Sequence, residues 1–168
     1  EKDFEKDGIA VRWVQSHGSN KALEFLNAGA VDFGSSAGAA ALLAKINGNP
    51  IQAIYVYPKP EWAALVTRPA SGIKTIADLK GKRVAVTRGT DPYIFLLRAL
   101  AGAGLGEKDI KPVLVQHADG RTALERGDVD AWAGLDPMMA ETELEKGSVL
   151  FFRNADANTY GVLNVREA

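Results

Sequence analysis

Four short stretches carry residue types from which a binding chemistry could be built: Ser16-His17-Gly18-Ser19, Ser35-Ser36-Ala37-Gly38, Arg88-Gly89-Thr90-Asp91 and Leu135-Asp136-Pro137. Each falls where a β-type run gives way to a helical one. Glycine lets backbone amides approach a guest closely, and serine or threonine hydroxyls add neutral donors. Free amides at a helix N-terminus carry partial positive charge and favour an oxyanion. Together the corners suit an oxyanion held without a full countercharge. Any one of them is explained as readily by helix capping, for which Ser, Thr and Asp are preferred. The signal is their recurrence.

Other candidates have plainer readings. His17 and His117 are the only histidines, and no carboxylates stand at ligand spacing around them, so both are expected as satisfied loop residues rather than metal ligands. Asp91 reads as an N-cap followed by proline at N1, and its charge would oppose an anion unless the guest also carries an amine. Trp132 is a core residue by default, on a strand whose end reaches the edge of the candidate cleft. Asp136-Pro137 starts a helix, and Met138-Met139 serves packing. Gly102-Ala103-Gly104 lacks the preceding strand of a dinucleotide fingerprint and reads as a helix end. No catalytic residue and no cofactor is expected.

Composition narrows the classes further. The chain has 168 residues, 46% hydrophobic and 24% charged, enough for one domain or two small lobes with a real core. Twenty basic and 21 acidic side chains leave a formal charge of -1, with no basic arm, so nucleic acid and anionic membrane are not expected partners. There is no cysteine, which excludes disulfides, thiolate zinc sites and cysteine nucleophiles. No apolar run approaches the ~20 residues of a membrane span. Glu1-Lys2-Asp3-Phe4 reads as the polar end of something already begun, either a processed protein or a fragment.

Short β-branched runs alternate with amphipathic helical stretches, which predicts parallel βαβ units and an α/β fold. Strands are predicted at Ile9–Val14, Val31–Gly34, Ile51–Val56, Ala63–Thr67, Val84–Thr87, Val113–Val115, Ala131–Ala133 and Val149–Phe152. Helices are predicted after caps at Ser19 or Asn20, at Asp91 and at Asp119, over Gly38–Ile46 and over Pro137–Lys146. Thr75 and Asp78 form a capping box. Ala22-Leu23-Glu24 running through Gly29 to Val31-Asp32 is echoed by Ala123-Leu124-Glu125 running through Gly127 to Val129-Asp130. The echo straddles the punctuated stretch Arg68-Pro69-Ala70-Ser71-Gly72. Two similarly wound lobes are therefore expected: residues 1–69, residues 70–157, and a return segment at 158–168.

Specific strings add a family. Ser35-Ser36 after Val-Asp-Phe-Gly, Ile76-Ala77-Asp78-Leu79-Lys80-Gly81-Lys82-Arg83-Val84-Ala85-Val86, Leu96-Leu97-Arg98-Ala99-Leu100, and Gly127-Asp128-Val129-Asp130-Ala131-Trp132-Ala133 with Asp136-Pro137 resemble the aliphatic sulfonate/nitrate/taurine binding family of ABC importers. The resemblance covers nearly the whole chain. It implies a bilobal periplasmic-binding-protein fold of type II, with the family's first strand and helix and its C-terminal helical tail missing. It also implies a monomeric receptor, periplasmic or lipid-anchored outside the cytoplasm, that delivers an alkyl sulfonate, taurine, nitrate or similar anion to a membrane permease. Carried over residue by residue, the family's cleft contacts fall on Gly18, Ser19, Ser35, Ser36, Gly89 and Thr90, with Trp132 and Asp136 beside them. Asp91 stands at the same corner, and Tyr160 is expected at a hinge or cleft. Ser36-Ala37-Gly38 departs from the Thr-Gly-Asp type of corner carried by many sulfonate binders. Two other classes share the fold: an effector-sensing half of a transcription regulator, which needs a helix-turn-helix partner, and a pyrimidine-precursor synthase, whose cysteine- and histidine-rich segments are absent here.

Overall fold

The computed structural model describes residues 8–167, so the segment Glu1–Phe4 discussed above lies outside them. The elements are α1 (Ser19–Asn27), β1 (Phe33–Ala37), α2 (Gly38–Ile46), β2 (Ile51–Val56), β3 (Ala63–Thr67), β4 (Arg83–Val86), α3 (Asp91–Gly102), β5 (Lys111–Leu114), α4 (His117–Arg126), β6 (Ala131–Leu135), α5 (Met138–Lys146), β7 (Val149–Phe152) and β8 (Gly161–Arg166). They build two sheets, ordered β1-β8-β2 and β5-β4-β6-β3-β7.

The second sheet is covered on both faces, and β3 shows why. Its sequence Ala-Ala-Leu-Val-Thr has no exposed position, as a central strand requires. Side chains alternate across the sheet. Ala63 and Leu65 pack with Phe95, Leu96 and Leu100 of α3, while Ala64 and Val66 pack with Leu124 of α4 and Met139 of α5. Each large apolar side chain so buried contributes ~1.5–3 kcal/mol. The first sheet is thinner: the apolar stripe of α1 and α2 (Leu23, Leu26, Ala40, Ala41, Ala44) covers Ile51 and Val162. Beyond Ile51, every residue of β2 is exposed.

The chain crosses between the sheets twice, through residues 57–62 and 153–160. The crossovers are stitched together: Tyr57 N–H donates to the Gly161 carbonyl (2.8 Å), and Ala63 N–H donates to Asn158 Oδ1 (2.9 Å). Asp91, the first residue of α3, accepts from Trp62 Nε1 (2.6 Å) on one crossover and from Thr159 Oγ1 (2.5 Å) on the other.

Several expectations change. The sheets are not wholly parallel: β4 runs parallel to β5 and β6, but β3 is antiparallel to β6 and β7, and β8 is antiparallel to β1 and β2. Because β3 lies in the second sheet, the change of sheet falls at 57–62, not at Arg68–Gly72. That later stretch holds a 3-10 turn, Pro69–Ser71, inside the second unit. Both stretches are rich in breakers, and composition alone does not say which one leaves a sheet. The Ile9–Val14 strand is not formed. Residues 9–16 carry no helix or strand, and Ile9, Trp13 and Val14 are exposed. Alternation makes a strand only where a neighbour takes the ladder bonds, and neither sheet includes this segment. The N-caps are Gly18, Thr90 and Gln116, one to three residues earlier than predicted. The Thr75–Asp78 box is formed as expected, with Thr75 N–H and Thr75 Oγ1 donating to Asp78 Oδ2 at 2.8 and 2.9 Å.

Candidate anion-binding site

The four corners do not converge on one point; the structure sorts their residues into three places. The first joins Gly18, Gly89 and a residue read as inert, His117. Gly18 caps α1 at φ 138, a conformation that favours glycine. A Cβ there would stand 3.1 Å from Asn20 Oδ1 and 3.3 Å from His117 Nε2, and one on Gly89 would stand 3.8 Å from Asn20 Cβ. The start of α1, the loop after β4 and the start of α4 therefore meet, and they bring elements of both sheets together.

This meeting point is polar and unsatisfied. Asn20 Oδ1, Gln116 Oε1 and both ring nitrogens of His117 are buried without a hydrogen-bond partner. Buried polar groups are almost always paired, by protein, water or ligand, because each unmade bond costs ~1–3 kcal/mol. His117 is only 3% exposed, and burial lowers its pKa from 6.5 to about 4, which keeps the ring neutral at pH 7. The helix starts supply free amides as well: neither α1 nor α4 has a side-chain cap. Amides from two helix N-termini, an amide side chain on each side and a neutral imidazole can solvate an anion without a formal countercharge.

The second place is the corner between β1 and α2, and most of its polar groups are already engaged. Ser36 is buried, its hydroxyl donating to the Ala37 carbonyl (3.3 Å) and accepting from Asn164 Nδ2 (2.9 Å). Ser19 Oγ accepts from Ala37 N–H (3.0 Å), and Gly38 N–H donates to the Tyr160 carbonyl (2.7 Å). Ser35 is exposed on β1 opposite Leu163. Beside this corner, Gly38, Leu42, Lys59, Arg98, Thr159 and Tyr160 line a groove of about 410 Å³. Its cations are committed: Lys59 pairs with Asp156 (3.5 Å) and lies over the exposed Tyr160 ring, and Arg98 donates to the Ala157 carbonyl (2.9 Å).

The third place is structural. Thr90 Oγ1 donates to the Thr87 carbonyl (2.6 Å), and Asp91 is tied to both crossovers. Burial pushes the Asp91 carboxyl above the usual range, opposed by its bonds from Thr159 and Trp62. Trp132 is fully buried in the core, packed against Gly120, and the nitrogen of its indole is unpartnered. Asp136 is exposed, and its backbone N–H donates to the Trp62 carbonyl (3.0 Å). No group of His, Cys, Asp and Glu arranged to hold a metal occurs among the described residues.

Sequence reasoning missed Asn20, Gln116 and His117. Local pattern gives Asn20 a capping role and His117 a loop role, and their meeting depends on a contact across 97 residues that no local pattern carries. One signal is present: His117 stands at the start of a helical run, at a strand-to-helix corner like the other four.

Comparison with known proteins agrees with this architecture. A family described as NMT1/THI5 like matches residues 3–166. A protein of Escherichia coli K12 bearing the name aliphatic sulfonates-binding protein is 37% identical over 152 residues, covering 90% of this chain and 48% of that protein. The 4-amino-5-hydroxymethyl-2-methylpyrimidine phosphate synthase of Schizosaccharomyces pombe is 26% identical over 87% of this chain and 41% of that enzyme. Among solved structures, the alkanesulfonate-binding protein SsuA from Xanthomonas axonopodis pv. citri bound to MOPS superposes with a TM-score of 0.90 at 30% identity, covering 98% of this chain and 58% of that one. The periplasmic aliphatic sulphonate binding protein SsuA of Escherichia coli gives 0.84 at 33% identity, covering 99% and 55%. The chain thus spans about half the length of the curated relatives it matches. With the α/β architecture, the family match over residues 3–166 and the fold of sulfonate-binding proteins in agreement, the chain belongs to the NMT1/THI5-like family.

Proposed function

We propose that this chain forms the greater part of the binding cleft of an extracytoplasmic solute receptor, which holds a small organosulfonate or related anion unchanged and delivers it to the permease of an ABC importer. The observation that carries the reading is the unsatisfied polar cluster where α1 meets α4: Asn20 Oδ1, Gln116 Oε1 and the two nitrogens of His117, buried beside two helix N-termini. Such a site pays its desolvation only when a guest or ordered water completes its hydrogen bonds. The two crossovers at 57–62 and 153–160 supply a joint about which two lobes can close on the guest. The names borne by the relatives point to sulfonates as the anion.

Isothermal calorimetry with alkanesulfonates, taurine, nitrate and uncharged analogues tests the reading. A stoichiometric response to a sulfonate, weakened by Asn20→Ala, supports it; preference for a neutral or cationic compound refutes it. The likeness to the pyrimidine phosphate synthase gives a second reading, an enzyme on the same fold. The chain has no cysteine to act as nucleophile, and the unsatisfied cluster offers neutral hydrogen-bonding groups rather than a paired acid and base. Mass spectrometry of the ligand after incubation separates the two readings: a receptor returns it intact.

A further inference from the structure

The site proposed above holds one ionisable side chain with nothing to pair with. His117 is the first residue of α4, is 3% exposed, and has both ring nitrogens unpartnered. Its Nε2 and Asn20 Oδ1 both lie within 3.3 Å of the position a Cβ on Gly18 would take. On the elements that meet there, the ionisable residues nearest in sequence are His17 and Lys21 flanking the start of α1, Arg88 on the loop after β4, and Asp119 and Arg121 on α4. Lys21 pairs with Glu24, Arg88 with Glu107, and Arg121 with Glu125, Glu141 and Glu145. None of them perturbs His117, whose acid-shifted titration is caused by burial alone.

We propose that His117 takes up a proton as the anion binds, so that the receptor captures its ligand together with a proton. This rests on the anion reading above and adds the form in which the anion is held. A neutral imidazole donates in one direction only; a protonated one donates in two. With both nitrogens protonated, the ring can donate from both edges, to the anion and to a second acceptor; Asn20 Oδ1, near the same point, lacks a donor. The proton comes from solvent and settles on the ring nitrogen that was the acceptor. In the empty site nothing offsets the cost of that buried charge. An anion about 4 Å away, at an effective dielectric of ~20, favours the charged ring roughly a thousand-fold. That moves its titration from the acid range, about 4, into the neutral one. By linkage, affinity then rises about tenfold between pH 8 and pH 6.

Pentanesulfonate keeps its charge across this range and serves as the probe. Calorimetry of the full chain at pH 6.5 in buffers of different ionisation enthalpy should show net uptake of more than about half a proton per anion bound. His117→Gln keeps a polar side chain of similar size, and is expected to bind without proton uptake and with affinity that no longer changes with pH. Should that variant fold poorly, NMR titration of the wild-type protein decides: one of its two histidines must titrate in acid when empty and near neutrality when pentanesulfonate is bound. Binding without proton uptake, with the same pH profile in wild type and His117→Gln, overturns the proposal and leaves the anion reading intact. Absence of binding at any pH by pentanesulfonate, the other alkanesulfonates, taurine and nitrate alike overturns both.

Discussion

Asp91→Ala removes a side chain that fastens both crossovers to α3. Its carboxylate accepts from Trp62 Nε1 at 2.6 Å and from Thr159 Oγ1 at 2.5 Å. Hydrogen bonds to a charged acceptor contribute ~1.5–3 kcal/mol each, and the alanine variant leaves both donors without it. Against this stands the cost of burying the carboxylate, visible in its raised pKa. A net loss of about 2–4 kcal/mol follows, or roughly 5–15 °C in melting temperature for a chain of this size. Asp91→Asn keeps the shape and one acceptor oxygen, and its amide can donate to Thr159, so a loss of about 1 kcal/mol is expected. The pH dependence has a definite sign. A carboxyl whose folded pKa is raised contributes stability that is fully present below its ordinary unfolded value and lost as pH rises through the folded one. The advantage of wild type over Asp91→Asn should therefore shrink from acid toward neutral pH. Urea denaturation of the three proteins at several pH values measures this. Equal stability of wild type and Asp91→Ala, or an equal loss in Asn and Ala, would refute the role of Asp91 as the joint's fastening.

His117 acts in the opposite sense in the empty protein: its lowered folded pKa gives stability present above about 6.5 and lost as pH falls through about 4. Protonation should cost the empty protein about 3 kcal/mol across that window, and denaturation of His117→Gln should show a flatter acid limb. Gly18→Ala forces a side chain into φ 138 and places its Cβ 3.1 Å from Asn20 Oδ1; a loss of about 1–2 kcal/mol with weaker anion binding is expected by denaturation and calorimetry. Thr90→Ala breaks only the bond to the Thr87 carbonyl, so stability should fall by about 1 kcal/mol while anion affinity measured by calorimetry stays unchanged.

The layers of the fold were legible because local rules wrote them. The Thr75–Asp78 box and the extended run of β3 are each set within a dozen residues, and the structure bears them out; helix α3 forms too, but the face it buries holds Phe95, Leu96, Ala99 and Leu100, while Ile94 and Leu97 are only partly buried. Strand direction was not legible, because a crossover of similar composition can lead to a parallel or an antiparallel neighbour. Sequence punctuation begins the second unit at Ala70, yet the change of sheet falls between β2 and β3, around Pro58-Lys59-Pro60. The site divided along the same line. Gly18 and Gly89 stand at corners that the sequence singles out, and the structure sets both beside Asn20. The hydroxyls of Ser36 and Thr90 looked free in sequence, but are consumed by Ala37 and Asn164 and by Thr87. His117, set aside as a satisfied loop residue, is buried and unsatisfied because its neighbours Gly18 and Asn20 come from the far end of the chain.

The most direct test of the account is calorimetric titration of the protein with a homologous series of alkanesulfonates, each matched with its uncharged sulfone or alcohol analogue. The account predicts one anion bound per chain, recovered chemically unchanged, with the uncharged partners silent and with binding weakened by Asn20→Ala. Tighter binding of an uncharged analogue, or conversion of the sulfonate to a product, would contradict it.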